Sequence, residues 1–263
     1  MHPILRRYLL RAAVALVAVA AAGYMIVRPA PRHAAPLALD TDGVEAPTVV
    51  RDRRGRPIIA NFRTVEPRLL YRGSAFPTSF EGAGGGSEYA DETAFTFLRS
   101  LNVRHVVALL DSADAYYAED GYLRFWSGQT GFEISTTWVQ IDPTEAFGRD
   151  DRSGLRAAGI LIALMREKAG RGGAVYVHDI DGVRHVGVAA AGYELWRNRG
   201  WHDFDMSWPL VERRFVAANR TMQDGAPGLA TPKPMRCADG TRAFACAESL
   251  RSIRDELRFV IEL

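Results

Sequence analysis

The sequence predicts an α/β domain with a mostly parallel central sheet flanked by helices, preceded by an apolar N-terminal helix and followed by a helical C-terminal extension. Three observations predict it. Short apolar runs, such as Val103–Leu110 and residues 174–177, alternate with segments of helical period. Those runs are apolar on both faces, as strands buried in a parallel sheet are. Beyond Trp201 the alternation stops and the pattern becomes purely helical.

Composition narrows the class. With 263 residues, 48% of them hydrophobic and 24% charged, the chain can bury a substantial core and is not a disordered polymer. A net charge of +2, with the basic residues spread along the chain, leaves no electrostatic footprint for a polyanion, so no nucleic-acid partner is expected. No cofactor is expected either.

Residues 12–27 form an unbroken run of apolar residues and glycine, about 24 Å long as a helix, which Tyr8 to Leu10 extend toward about 30 Å if Arg11 snorkels. Arg6, Arg7 and Arg11 precede it. Residues 1–27 are therefore expected to be a signal anchor, with the membrane as a partner and the domain in the periplasm or outside the cell. A cleavable signal peptide ending near Ala21-Ala22-Gly23 is the competing reading, and would make the protein secreted. Residues 28–48, rich in Pro and Ala, read as a linker.

The main domain is expected over 49–215. Residues 61–65 and 69–74 are β-like and separated by Glu66-Pro67, which reads as a hairpin. Gly82 to Gly86 lacks the Gly-Lys-Ser/Thr ending of a phosphate loop, and no strand leads into it, so it reads as a flexible loop. A helix over 89–101 would put Ala94, Phe97, Leu98 and Leu101 on one face, and Val103–Leu110 follows as a buried strand. Residues 123–127 look helical, and 133–141 are rich in β-branched residues and read as a strand. Residues 155–169 form a helix closed by Arg166, Lys168 and Gly170. A buried strand over 174–177 and a helix over 184–198 complete the alternation.

Asp203 can cap a further helix, which must accommodate Pro209 near its start. Residues 216–263 are the C-terminal extension, where Leu250, Ile253, Leu257, Val260 and Ile261 form one apolar stripe. Its two cysteines, Cys237 and Cys246, lie in one short stretch and can pair if the domain is extracytoplasmic, which would stabilise the fold by roughly 2–3 kcal/mol. Two unrelated thiols are the alternative.

The chemistry concentrates where strand 174–177 meets the next helix, at His178-Asp179-Ile180-Asp181-Gly182-Val183-Arg184-His185-Val186-Gly187. A strand that delivers a tight loop onto a helix N-terminus makes an anion cradle, because backbone N–H groups and the helix dipole converge there. This arrangement resembles the protein tyrosine and dual-specificity phosphatases, whose signature is His-Cys, five residues, Arg, then Ser or Thr and Gly. His178, Gly182 and Gly187 match in register. Residues 61–63 with 70–74, and residues 101–107, are similar to the opening hairpin and next strand of the bacterial dual-specificity phosphatase-like proteins. The resemblance covers roughly residues 61–213.

The resemblance implies a nucleophilic thiolate at position 179, which is Asp179, and a phosphate-gripping arginine at position 185, which is His185. The residue that assists the leaving thiolate aligns with Val186, and Arg184 sits one residue too early to replace the arginine. His185 is expected to be largely neutral at pH 7 unless nearby aspartates raise its pKa. Asp142, in the turn after a strand, occupies the kind of loop that supplies the family's general acid, with Glu145 as a rival and an ordinary turn aspartate as the plain alternative.

Three altered positions together predict an inactive phosphatase-like protein that binds or scaffolds an unknown protein or phosphorylated ligand outside the cytoplasm. The alternative is a phosphoesterase with altered chemistry, using Asp179 as nucleophile or a metal held by Asp179, Asp181 and His185. Asp181 could equally cap the helix.

Overall fold

Along Val103–Leu110, side chains alternate between two separate cores: Val106 enters one, and Val107 and Leu109 enter the other. Residues 174–179 do the same, with Ala174 and Tyr176 on the first side and Val175 and Val177 on the second. A strand apolar on both sides must lie at the centre of a sheet covered on both faces. The computed structural model has that arrangement, and describes residues 35–39, 46–81, 87–89, 92–142, 151–168, 172–220 and 234–262. The expected apolar helix over 1–27, the glycine-rich loop at 82–86 and Glu145 lie outside these residues. Among the described residues no helix is long and apolar enough to cross a membrane.

The strands, in chain order, are β1 (Thr48–Arg51), β2 (Pro57–Glu66), β3 (Leu70–Ser74), β4 (Ser79–Glu81), β5 (Ser87–Tyr89), β6 (Val103–Leu110), β7 (Ser135–Gln140), β8 (Ala174–Asp179), β9 (Met235–Arg236) and β10 (Arg242–Ala243). The helices are α1 (Thr93–Ser100), α2 (Ala113–Thr130), α3 (Arg152–Lys168), α4 (His185–Asn198), α5 (Phe204–Ala218), α6 (Ala247–Arg251) and α7 (Arg254–Glu262). The main sheet runs β1-β2-β3-β8-β6-β7. Pairings β3·β8, β8·β6 and β6·β7 are parallel, while β1·β2 and β2·β3 are antiparallel. It is thus a mixed sheet, because the opening hairpin adds its strands to the parallel half.

Several boundaries differ from expectation for identifiable reasons. Tyr89 belongs to the small β4–β5 hairpin rather than to a helix, and α1 begins at Thr93 with Phe95, not Phe97, fully buried. Helix α2 runs the whole length Ala113–Thr130, capped by Ser112, whose hydroxyl accepts from the Ala115 N–H. Its buried side includes Glu119 and Tyr122, so it lacks the apolar stripe that would have marked it. Strand β8 extends through His178 and Asp179. The final apolar stripe is split into α6 and α7, yet Leu250, Ile253, Leu257 and Ile261 all stay buried in one core with α3 and α4 residues.

Nor is the segment before the domain wholly a spacer. Leu37 exchanges two hydrogen bonds with the Asn198 side chain, at 2.6 and 2.9 Å, and Leu39 is buried in the core. Cys237 and Cys246 are joined in a disulfide with Cα atoms 5.5 Å apart. Asn219 fastens that tail to the domain, its backbone carbonyl accepting from the Phe244 N–H at 3.1 Å.

Candidate functional site: the loop between β8 and α4

Strand β8 carries His178 and Asp179 into the sheet opposite Gly73 and Ser74 of β3. The chain then turns through residues 180–184 and enters α4 at His185. The turn is held from outside: Asn61 Nδ2 donates to the Asp181 carbonyl at 2.7 Å, and the Ala75 N–H donates to the Asp179 carbonyl at 2.7 Å. Gly182 has φ +76°, and a Cβ there would lie 2.5 Å from the Ser74 nitrogen and 2.6 Å from the Gly73 carbonyl carbon. Only glycine allows that left-handed turn so close to another strand's backbone.

Donors converge on the Asp179 carboxylate, which is 2% exposed. Its Oδ1 accepts from the Gly182 N–H at 2.5 Å and its Oδ2 from the Val186 N–H, in the first turn of α4, at 3.1 Å. The cradle formed by a loop and a helix N-terminus is therefore occupied by a carboxylate of the chain itself.

Asp181 caps the turn, its Oδ1 accepting from the Val183 N–H at 2.9 Å and the Arg184 N–H at 3.3 Å. Arg184 is turned back onto it, Nε lying 3.6 Å from Oδ2. Burial, then the neighbouring Asp179 charge, push Asp181 up to about 7 against the pull of Arg184 and the two N–H groups. His185 Nδ1 lies 2.7 Å from Asp151 Oδ1. Burial opposes the charged imidazole, but the Asp151 hydrogen bond and charge, with Asp179 and Asp181 nearby, raise His185 to about 9. The condition attached to a neutral His185 is met: the nearby aspartates raise its pKa, which favours the cation at pH 7, and its Nδ1 is committed to Asp151.

His178 is fully buried, with Nε2 2.8 Å from Glu119 Oε1. Burial pulls its pKa down, but the Glu119 charge and hydrogen bond prevail and raise it. Val183, Val186 and Gly187 are buried and Ile180 is half-buried, and Val186 packs into the core shared by α3 and α5. Asp142 is exposed at the end of β7, in a cleft lined by Trp138, Gln140 and Arg156 that contains no residue of the loop. Among the described residues, the metal-type donors gathered within 4.8 Å of one another in a group of three are Cys237, Cys246 and Glu248, and the two sulfurs are bonded to each other. Asp179, Asp181 and His185 do not gather in that way.

Two partners escaped the sequence reading. Asp151 shows the pattern of a helix cap, since its Oδ1 also accepts from the Gly154 N–H at 2.6 Å; that signal was present before α3. Glu119 sits in the middle of a helix of weak periodicity, and nothing local marks it.

No protein-family model and no curated protein matches the chain. Among solved structures it is similar to TpbA of P. aeruginosa, at 18% identity over 77% of this chain and 96% of that one, with a TM-score of 0.40. Human DUSP28 matches at 17% identity over 79% and 97%, with a TM-score of 0.36. OH1 from the Orf virus, described as a tyrosine phosphatase, matches at 21% identity over 60% and 69%, with a TM-score of 0.34. These likenesses all lie below 25% identity, and the chemistry of the loop rests on the geometry above.

Proposed function

We propose that this chain is a phosphatase-like binding or scaffolding protein that does not hydrolyse phosphate esters. The observation that carries the reading is the Asp179 carboxylate, which accepts the Gly182 and Val186 N–H groups that would otherwise meet a phosphate. An anion fixed there repels a second one, and a carboxylate so engaged is a poor nucleophile. His185 adds a charge but no bidentate fork, and its Nδ1 is held by Asp151. The Cys237–Cys246 bridge favours an oxidising, extracytoplasmic setting.

The test is turnover of aryl phosphate, phosphoinositide and inositol phosphate substrates by the purified protein, beside the Asp179→Ala variant. No turnover that depends on Asp179 is expected. Hydrolysis by the wild type that vanishes in the variant would overturn the reading and favour an aspartyl nucleophile.

A further inference from the structure

Helices α3 and α4 each follow a strand of the parallel half of the sheet and run back to the end at which β3, β8 and β6 begin. There Arg166, in the last turn of α3, comes close to Arg199, which follows α4. Both are half-buried, and neither has a carboxylate at ion-pair distance among the described residues. Arg199 lies 4.9 Å from the Trp196 ring, and its Nη1 is buried without a hydrogen bond. Burial, and then the Arg166 charge, pull Arg199 down to about 10, so the two cations meet with no counter-charge between them. The carboxyl ends of two helices favour a basic residue at each. They do not favour bringing two guanidinium groups together. Glu66 is taken by Arg197 and Tyr193, Asp203 caps α5 through the Met206 N–H, and Glu167 is exposed.

The turn after α4 continues this surface. The Trp201 and His202 N–H groups both donate to the Asn198 carbonyl, at 2.9 and 3.0 Å, which fixes the turn and leaves the Trp201 side chain 52% exposed. A Cβ at Gly200 would meet nothing within 4 Å, so the turn stands clear of the rest of the domain. An indole held out beside unmatched arginines has the composition of a bilayer interface, where the ring sits at headgroup level and the cations meet phosphates. The same Asn198 holds Leu37 by two hydrogen bonds, so the chain that precedes residue 35 joins the domain here. The apolar run ends at Val27, and the chain from there to Leu37 spans at most about 35 Å. With residues 12–27 in a bilayer, the surface stays within that reach of the headgroups.

We propose that this end of the domain docks on an anionic bilayer, Arg166 and Arg199 taking lipid headgroup phosphates and Trp201 entering the interface beside them. The nearness of the membrane rests on residues 12–27 being an anchor; the chemistry of the surface does not.

The experiment uses the whole chain in nanodiscs of phosphatidylcholine, alone or mixed with phosphatidylglycerol, with amide hydrogen exchange read by mass spectrometry. Slower exchange over residues 196–203 is expected in the anionic discs and should be lost as salt rises from about 0.05 to about 0.5 M. Replacing both Arg166→Gln and Arg199→Gln is expected to weaken docking, read as the fall in that protection, about thirtyfold. Its melting temperature should equal or exceed that of the wild type, because a repulsion is relieved. Arg53→Gln with Arg54→Gln removes the same charge from the exposed turn between β1 and β2 and should leave the protection unchanged. Equal exchange in the two lipids, equal losses in the two variants, or protection confined to residues 51–56 would each overturn the proposal. Retention of the chain by neutral discs reports on residues 1–27 alone, so a failed anchor and a failed docking surface give different results.

Discussion

Replacing Asp179 by asparagine keeps the side-chain volume but removes one charge and one acceptor. The remaining amide oxygen can accept from Gly182 or from Val186, not from both, and the other N–H then faces an NH2 group. A buried donor left without an acceptor costs about 1–3 kcal/mol, so a loss of about 2 kcal/mol is expected, or roughly 4–8 °C in melting temperature for a chain of this size. The variant also relieves Asp181, which burial, and then the Asp179 charge, raise to about 7. The folded value lies above the ordinary one, so Asp181 contributes stability that is fully present below its unfolded pKa and is lost as pH rises through about 7. In Asp179→Asn the value falls and that loss shrinks. The deficit relative to wild type should therefore be large near about pH 5 and smaller near about pH 8. Melts followed by circular dichroism at both values provide the assay. A deficit of equal size at the two pH values, or no deficit at either, would refute the claim that two N–H groups hold Asp179 beside Asp181.

His185, raised to about 9, contributes stability that is fully present below its unfolded value and lost as pH climbs through about 9. Asp151→Asn should flatten the melting temperature of the wild type between about pH 7 and about pH 10, and imidazole NMR shifts should show the earlier titration. Glu119→Leu leaves the fully buried His178 without its 2.8 Å partner and should destabilise by about 3 kcal/mol or more, with Glu119→Gln milder, both read from urea midpoints. Reducing the Cys237–Cys246 bridge, which closes a short loop, should cost roughly 2–3 kcal/mol and release the tail in limited proteolysis. If reduction leaves the melt unchanged, the tail's attachment rests on its noncovalent contacts alone.

The parts of the fold that were legible in the sequence are those where burial is written locally. Val103–Leu110 is apolar on both faces and is a central strand with those limits. The cap at Asp203 accepts from the Met206 N–H at 2.8 Å, as its position before the helix suggests. Helix α2 was mostly hidden because its inward face carries Glu119 and Tyr122, whose partners, His178 and the Phe95 N–H, come from distant parts of the chain. At the loop, the residue types and the glycine register could be read in order. The backbone N–H groups that meet Asp179 follow from the loop itself, since Gly182 and Val186 are its near neighbours in sequence. The diversion of His185 Nδ1 to Asp151 instead depends on where α3 meets α4, a contact with no local pattern.

The loop's shape is set by groups other than the residues that define its chemistry. Gly182 presses on β3, Asn61 grips the Asp181 carbonyl, and Ala75 grips that of Asp179, all through backbone atoms or an unrelated strand. None of these supports uses the side chains at 179, 185 or 186. Shape and occupant can therefore vary independently. In a chain built this way the occupant of the anion position is set by the side chain at 179, while the path of the loop is set by Gly182, Asn61 and Ala75.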